Sequence, residues 1–301
     1  MTDKKRRVVG IGELLWDLLP SGKQLGGAPA NFAYIINLLG DIGIVASRIG
    51  DDLLGEEALQ RLTHLGVGAE FVQTDEVRPT GTVQVELDNG QPRFEIRRPV
   101  AWDFLEWTPS WKQLASEAHA VCFGSLAQRS EISRTTIRCF LQATRPQAAR
   151  IFDVNLRQSF YSKEVLEESL KLATIVKLNH EELPVVANLL WLEARGMRDS
   201  ARRLLASFDL NLVCITRGCA GSVLVSANDY CEHAGFTIKI ADAIGAGDAF
   251  TAALVHGYLR NLPLSEMNER ANRVGAWVAS QRGGMPSPGA QGLESILAEI
   301  A

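Results

Sequence analysis

The run Asp242-Ala-Ile-Gly-Ala-Gly-Asp248 has the residue types and the order that phosphoryl transfer to an alcohol requires. Three small residues, Gly245, Ala246 and Gly247, stand directly before a carboxylate, and a helix-favouring run, Ala249 to Leu259, follows. Glycines at a helix start let backbone N–H groups face an anion without side-chain obstruction, and the helix dipole adds positive potential there. Asp248 beside such an anion hole can take the proton of a hydroxyl. The same residues would also serve as an ordinary Gly-rich turn with an Asp near the helix cap.

Other clusters suit the two substrates of such a reaction. In Gly26-Gly27-Ala28-Pro29-Ala30-Asn31, two glycines allow close backbone approach and Asn31 offers both donors and acceptors, which suits a polyol. Asp17 lies on the apolar run Leu14–Leu19 and, if buried, needs a hydrogen-bond donor such as a sugar hydroxyl. Asn179 and Glu182 lie three apart at a helix start, where Glu182 could hold a water on Mg²⁺ or the pair could simply cap the helix. Thr216-Arg-Gly218-Cys-Ala-Gly221 fits a hairpin turn and a nucleotide-lining loop equally well.

Other phosphate-handling motifs are absent. There is no G-x-x-x-x-G-K-[ST]; a dinucleotide fingerprint after Gly10 and Gly12 fails at Leu15; and Asp103-Phe104 is followed by Leu105 rather than Gly. The composition is ordinary for a globular protein, with 301 residues, 46% hydrophobic, 22% charged and a net charge of −4. An acidic balance with no basic stripe excludes a nucleic-acid footprint. The run Lys4-Lys5-Arg6-Arg7 reads as a solvated terminus. No apolar run is long enough to span a membrane, and the start lacks the order of a signal peptide. Five cysteines form no C-x-x-C pair, and the histidines have no metal-ligand spacing. A cytoplasmic location with reduced thiols is expected.

The elements that must position these residues alternate along the chain. Strand-like runs at Val8–Gly12, Ile44–Ile49, Ala120–Phe123, Ile151–Val154, Ile175–Leu178, Leu212–Ile215 and Ser222–Val225 are separated mostly by helical patterns such as Pro29–Leu39, Gly55–Leu65, Glu131–Gln142 and Lys163–Leu172. That predicts an α/β fold with a mostly parallel sheet flanked by helices. One segment departs from it. Thr82–Leu87 and Arg93–Arg97 alternate strictly about Asn89-Gly90, a hairpin signature, and Leu14–Leu19 is also strand-like. Together they predict a small β-sheet lid, formed by about residues 13–25 and 80–105 of a single domain spanning 1–301.

The order G-G-x-x-x-N, N-x-x-E, T-x-G-x-x-G and D-x-x-G-A-G-D resembles the ribokinase-like, phosphofructokinase-B-type carbohydrate kinases, from Gly10 to about Pro288. Within that family Gly12-Glu-Leu-Leu-Trp-Asp17, Leu25–Phe32, Phe123–Leu126 and Phe152-Asp-Val-Asn-Leu-Arg157 are most similar to fructokinases. The resemblance implies ATP-dependent phosphorylation of a sugar, D-fructose first, with Mg²⁺ on the phosphates. It makes Asp248 the base, Gly245, Ala246 and Gly247 the anion hole, and Arg157 a contact to the transferring phosphate. Asp17, Gly27, Asn31 and Gln128 would hold the sugar. Asn179 and Glu182 would serve the phosphates and the metal, Thr216, Gly218 and Gly221 the nucleotide, and Asn272 its base. A K⁺ site would use Asp242, Ile244, Gly284 and Ser287. Ala243 departs from the common Thr and removes a hydroxyl. Lid edges in this family can pair, so a homodimer fits the resemblance. Another ketose, a sugar acid or a nucleoside remain alternative substrates, and a non-catalytic sensor on the same fold would not need Asp248.

Overall fold

The structure is a computed structural model, and it describes residues 4–19, 22–88, 91–192, 195–289 and 292–299. Thirteen strands in the described residues divide into two sheets. The strands are β1 (Arg7–Ile11), β2 (Leu15–Leu19), β3 (Gly22–Gly26), β4 (Ile42–Gly50), β5 (Gly68–Asp75), β6 (Gly81–Asp88), β7 (Gln91–Ile96), β8 (Ala120–Gly124), β9 (Ala149–Asp153), β10 (Ile175–Asn179), β11 (Leu212–Thr216), β12 (Ser222–Val225) and β13 (Tyr230–His233). The large sheet runs β13-β12-β11-β10-β9-β8-β1-β4-β5. It is parallel from β5 to β11 and becomes antiparallel at β12 and β13.

Helices cover both faces, so its central strands are apolar at nearly every position, as a two-sided parallel sheet requires. Alternate residues of one strand enter different cores. Val9, Val121, Phe152, Val176 and Val213 pack with α3 (Pro109–Glu117), α4 (Glu131–Gln142), α5 (Lys163–Leu172), α6 (Glu182–Leu189) and α7 (Met197–Ser207). Val8, Cys122, Ile151, Ile175 and Cys214 pack on the other face with α1 (Ala28–Leu38), α2 (Leu53–His64), α8 (Ala246–Tyr258), α9 (Leu264–Ala279) and α10 (Leu293–Glu299). That pleated alternation places α1 and α8 side by side over the same strands.

The small sheet has the order β3-β2-β6-β7. β2 pairs parallel with β6, and β6 pairs antiparallel with β7 from Val83–Ile96 to Asp88–Gln91. The expected Asn89-Gly90 turn lies outside the described residues. β3 was not legible as a strand, because Gly22-Lys-Gln-Leu-Gly26 is too short and too rich in glycine to alternate; it forms by pairing with β2. The Trp16 indole of β2 donates to Leu54 O at the start of α2, 2.8 Å away, and Lys23 of β3 pairs with Glu57. These contacts fasten the small sheet to α2.

Candidate active site

Functional side chains gather where the parallel strands end, at the edge at which open α/β sheets bind ligands. Asp153 closes β9, Asn179 closes β10, Thr216 closes β11, and Glu13 follows β1. Opposite them, two helix starts converge. α1 begins after Gly27, whose φ of 106° suits glycine, and a side chain there would collide with Glu13 O, 2.5 Å from a Cβ. α8 begins after Gly245, a left-handed residue with φ 74°. The helix therefore starts at Ala246, three residues earlier than the periodicity places it, because Gly245 can make the turn. Asp248 then lies in the first turn, where the dipole favours a carboxylate. First-turn amides lack intrahelical acceptors, the basis of an anion hole. Of the three expected residues, Ala246 directs its N–H back to Ala243 O at 3.3 Å, a long bond.

Asp248 and Asn31 meet across the two helix starts, with Asn31 Nδ2 donating to Asp248 Oδ2 at 2.8 Å. Asn31 is 4% exposed, and its Oδ1 is buried without a hydrogen-bond partner. Burial raises the pKa of Asp248 to about 6. Asp153 adds to the rise, while the Asn31 amide, Lys177 and Arg157 oppose it. A carboxyl in that range is ionised at neutral pH and still basic enough to receive a proton. Asp17 on β2 is partly buried beside Gly26, and no donor among the described residues satisfies it. Its pKa is raised to about 6 by burial, against the attraction of Arg157 and with the repulsion of Asp242. Arg157 therefore faces both carboxylates. It lies in a tight loop between Asn155 and Gln158, which take positive φ, 41° and 49°.

Two residues escaped the motif reading. Glu13 is 4% exposed, and burial raises its pKa to about 7; Asp248 adds to this, and hydrogen bonds from its own amide and Ala28 resist it. Its signal was a lone carboxylate in an otherwise apolar run after a buried strand. Lys177 lies within the strand Ile175–Asn179 and belongs to no motif. Its side chain pairs with Asp153, Nζ to Oδ1 at 3.0 Å, entirely within the protein.

Asn179 and Thr216 are adjacent across β10 and β11, so the second cluster is brought together. Asn179 Oδ1 accepts from the amides of Glu181 at 2.9 Å and Glu182 at 2.8 Å, and Glu182 accepts from Asn179 N and Leu156 N, both at 2.8 Å. Glu182 is thus held as a rigid, 7% exposed carboxylate with lone pairs remaining for a water. Among the described residues no group of three or more His, Cys, Asp or Glu could cage a metal. Gly218 and Gly221 shape the turn between β11 and β12, with φ 59° and 80°.

Asp242 joins the two loops expected around a cation: Oδ1 accepts from Ile244 N at 3.0 Å and Oδ2 from Gly283 N at 3.1 Å. Gly284 lies against Asn31, and Ser287 Oγ accepts from Gly289 N. Two expected contacts point inward instead. Gln128 gives its amide to Gly124 O and Ser169 Oγ, and Asn272 gives its own to Ser222 Oγ and Asn268. A cavity of about 300 Å³ opens elsewhere, between α8, α9 and α10, and holds none of these residues.

The family model for pfkB family carbohydrate kinases matches residues 21–289. The chain belongs to this family. It is 33% identical to a fructokinase of Escherichia coli, over 95% of the chain and 97% of that protein. An uncharacterized sugar kinase of Pyrococcus horikoshii, solved with ATP, superposes with a TM-score of 0.79 at 31% identity, covering 93% of this chain and 95% of that one. A Vibrio cholerae fructokinase variant solved with fructose, ADP and potassium gives a TM-score of 0.82 at 25% identity, covering 100% and 99%. The protein is therefore a sugar kinase with the ribokinase-like α/β fold.

Proposed function

We propose that this sugar kinase phosphorylates D-fructose at its terminal hydroxyl, with ATP as donor and Asp248 as general base. The observation that carries the reading is the Asn31–Asp248 contact at 2.8 Å, with an unpartnered amide oxygen on the same buried Asn31. It places a hydroxyl-binding group and a proton acceptor at one point, beside the start of α8. In the reaction the sugar hydroxyl gives its proton to Asp248, its oxygen bonds to the γ-phosphorus, and the bond to ADP breaks. Amides of Gly245, Ala246 and Gly247 and the cation Arg157 face the charge on the transferring group. Asp17, Gly27 and Asn31 hold the sugar, whose donors suit their acceptor oxygens.

Asn179, Glu182, Thr216, Gly218 and Gly221 hold the nucleotide, and Asn272 supports β12 beside them. Mg²⁺, when bound, neutralises phosphate charge; Glu182 would hold one of its waters. Asp242 and the backbone at Ile244, Gly284 and Ser287 would surround K⁺, the ion named for the Vibrio cholerae structure. The small sheet, residues 13–25 and 80–105, serves as a lid within one domain, and its edge strands offer a route to a homodimer. Two carboxylates, Asp17 and Glu13, near the sugar favour a neutral ketose over a sugar acid, whose carboxylate they would repel.

A coupled ADP-release assay over D-fructose, other ketoses, sugar acids and nucleosides tests this. D-fructose should give the highest kcat/KM, with phosphorus–carbon coupling in the product at C6. A sugar acid or nucleoside at the top would reassign the substrate, and no turnover with any would favour a sensor.

A further inference from the structure

Beneath the start of α8 lies a polar group that the motifs do not account for. Lys177 sits on β10, 7% exposed, at the third position of the otherwise apolar run Ile175-Val-Lys-Leu178. Its Nζ lies 3.0 and 3.2 Å from the two oxygens of Asp153 on β9, which is 4% exposed. Thr251, fully buried on α8 and three residues past Asp248, donates to Asp153 Oδ2 at 2.9 Å. A Cβ placed on Gly247 would lie 3.2 Å from the same Nζ. One cation therefore touches the underside of the anion-hole turn and is tied through Asp153 and Thr251 to the helix that carries the base.

A buried ion pair of this kind is a poor stabiliser. Desolvating both ions offsets most of their attraction, and apolar residues of equal size would hold the sheet as well. Its position gives it another use. The groups facing Asp248 are Asp153 from β9, Lys177 from β10, Cys122 from β8, Glu13 from the loop after β1, Arg157 from the loop after β9, and the Asn31 amide. Asp153 and Glu13 oppose ionisation of Asp248, while Lys177 and Arg157 favour it. Of the two cations Arg157 is exposed and so screened by solvent, whereas Lys177 is buried and its charge is offset only by Asp153, which it touches. Lys177 is also attracted by Glu182, so its charge reaches the proposed metal end as well.

We propose that Lys177 is a positioning residue for phosphoryl transfer: clamped by Asp153 under the Gly245–Gly247 turn, its charge offsets that of Asp153 and so favours the ionised form of Asp248, while the Lys177–Asp153–Thr251 chain holds α8 at its working height. The proposal rests on Asp248 being the base. It assigns Lys177 no contact with sugar or nucleotide. Removing Asp153's charge and removing Lys177's charge must move Asp248 in opposite directions, an outcome that a merely structural ion pair does not produce.

The experiment has two arms. Carbon-13 NMR of the Asp248 carboxyl, assigned by its loss in Asp248→Asn, follows titration in the ligand-free protein. The acid limb of kcat/KM is measured on whichever sugar the parent phosphorylates. Asp153→Asn should lower both midpoints by about one pH unit, and Lys177→Met should raise the pH at which the cluster takes up its proton by a similar amount. The double variant, lacking both charges, should fall between them. If Lys177→Met does not fold, Asp153→Asn decides alone, since Asn keeps the shape and the Thr251 contact. Equal shifts in one direction, or no shift in folded Asp153→Asn, would overturn the proposal. Absence of turnover in the parent would instead sink the kinase reading of the substrate and leave the titration arm intact.

Discussion

The carboxyl ends of the large sheet and the small sheet beside them treat polar groups in opposite ways. At the strand ends Asp153, Lys177, Glu182 and Asn179 all find partners within the chain, at 2.8 to 3.2 Å. On the small sheet Asp17 has no donor among the described residues, and Asn31 opposite keeps an unpartnered oxygen. A satisfied polar network holds a geometry in place, whereas an unsatisfied one is stabilised by gaining a ligand. Under the proposed function, the difference matches preorganised phosphate chemistry in the first region and substrate capture in the second.

Breaking the comparison most severely means removing the base. Asp248→Asn should lower kcat by about 10²- to 10⁴-fold, while calorimetry shows sugar binding retained. Turnover within about threefold of the parent would remove Asp248 from the mechanism.

A smaller effect separates the regions. Asp17→Ala should raise the sugar KM about 10- to 100-fold, the loss of a charged hydrogen bond of about 1.5–3 kcal/mol, and leave the ATP KM unchanged. Asn31→Ala should raise the sugar KM and also lower kcat, since Asn31 touches the base as well. Equal effects of Asp17→Ala on both substrates would contradict its assignment to the sugar.

Burial of charge should also be visible as lost stability. Asp248 has a folded pKa of about 6, above its ordinary 3.8, so the folded state binds the proton more tightly than the unfolded one. Between pH 4 and 6 the folded state then holds more protons, and this group's contribution falls as pH rises through that window. Asp248→Asn should be more stable than the parent at pH 8, by at most about 3 kcal/mol, and no more stable at pH 4. Thermal melts at both pH values check this; a variant less stable at pH 8 would show that Asp248 is not held there at a cost.

The smallest effect concerns the small sheet. Hydrogen exchange in β6 and β7 should slow when sugar and a non-hydrolysable ATP analogue bind together. Protection confined to α8 would leave the sheet without a part in enclosing the substrate.

The alternation of strand and helix was legible because a two-sided parallel sheet demands continuous apolar runs, and the bounds of α4 and α5 follow directly from their periodicity. The hairpin was legible because alternation has a period of two. β3 was not, since pairing with β2 creates it. In the site, Asp248, Asn31 and Asp17 carry a motif each and could be picked out one by one. The meeting of Asp248 and Asn31, with Glu13 and Lys177 near Asp248, comes from long-range packing of α1 against α8. A lone Glu or Lys in an apolar run signals only that some partner exists, and the fold decides which. The inward turns of Gln128 and Asn272 could not be read for the same reason: nothing local fixes which acceptor an amide finds.

The most direct test of Asp248 as base is the pH dependence of kcat/KM for sugar phosphorylation, in the parent and in Asp248→Asn. The parent should lose activity tenfold per pH unit below about 6, the range in which Asp248 takes up its proton. The residual rate of the variant should show no such limb. An identical acid limb in both proteins would contradict the account and move the base to another group.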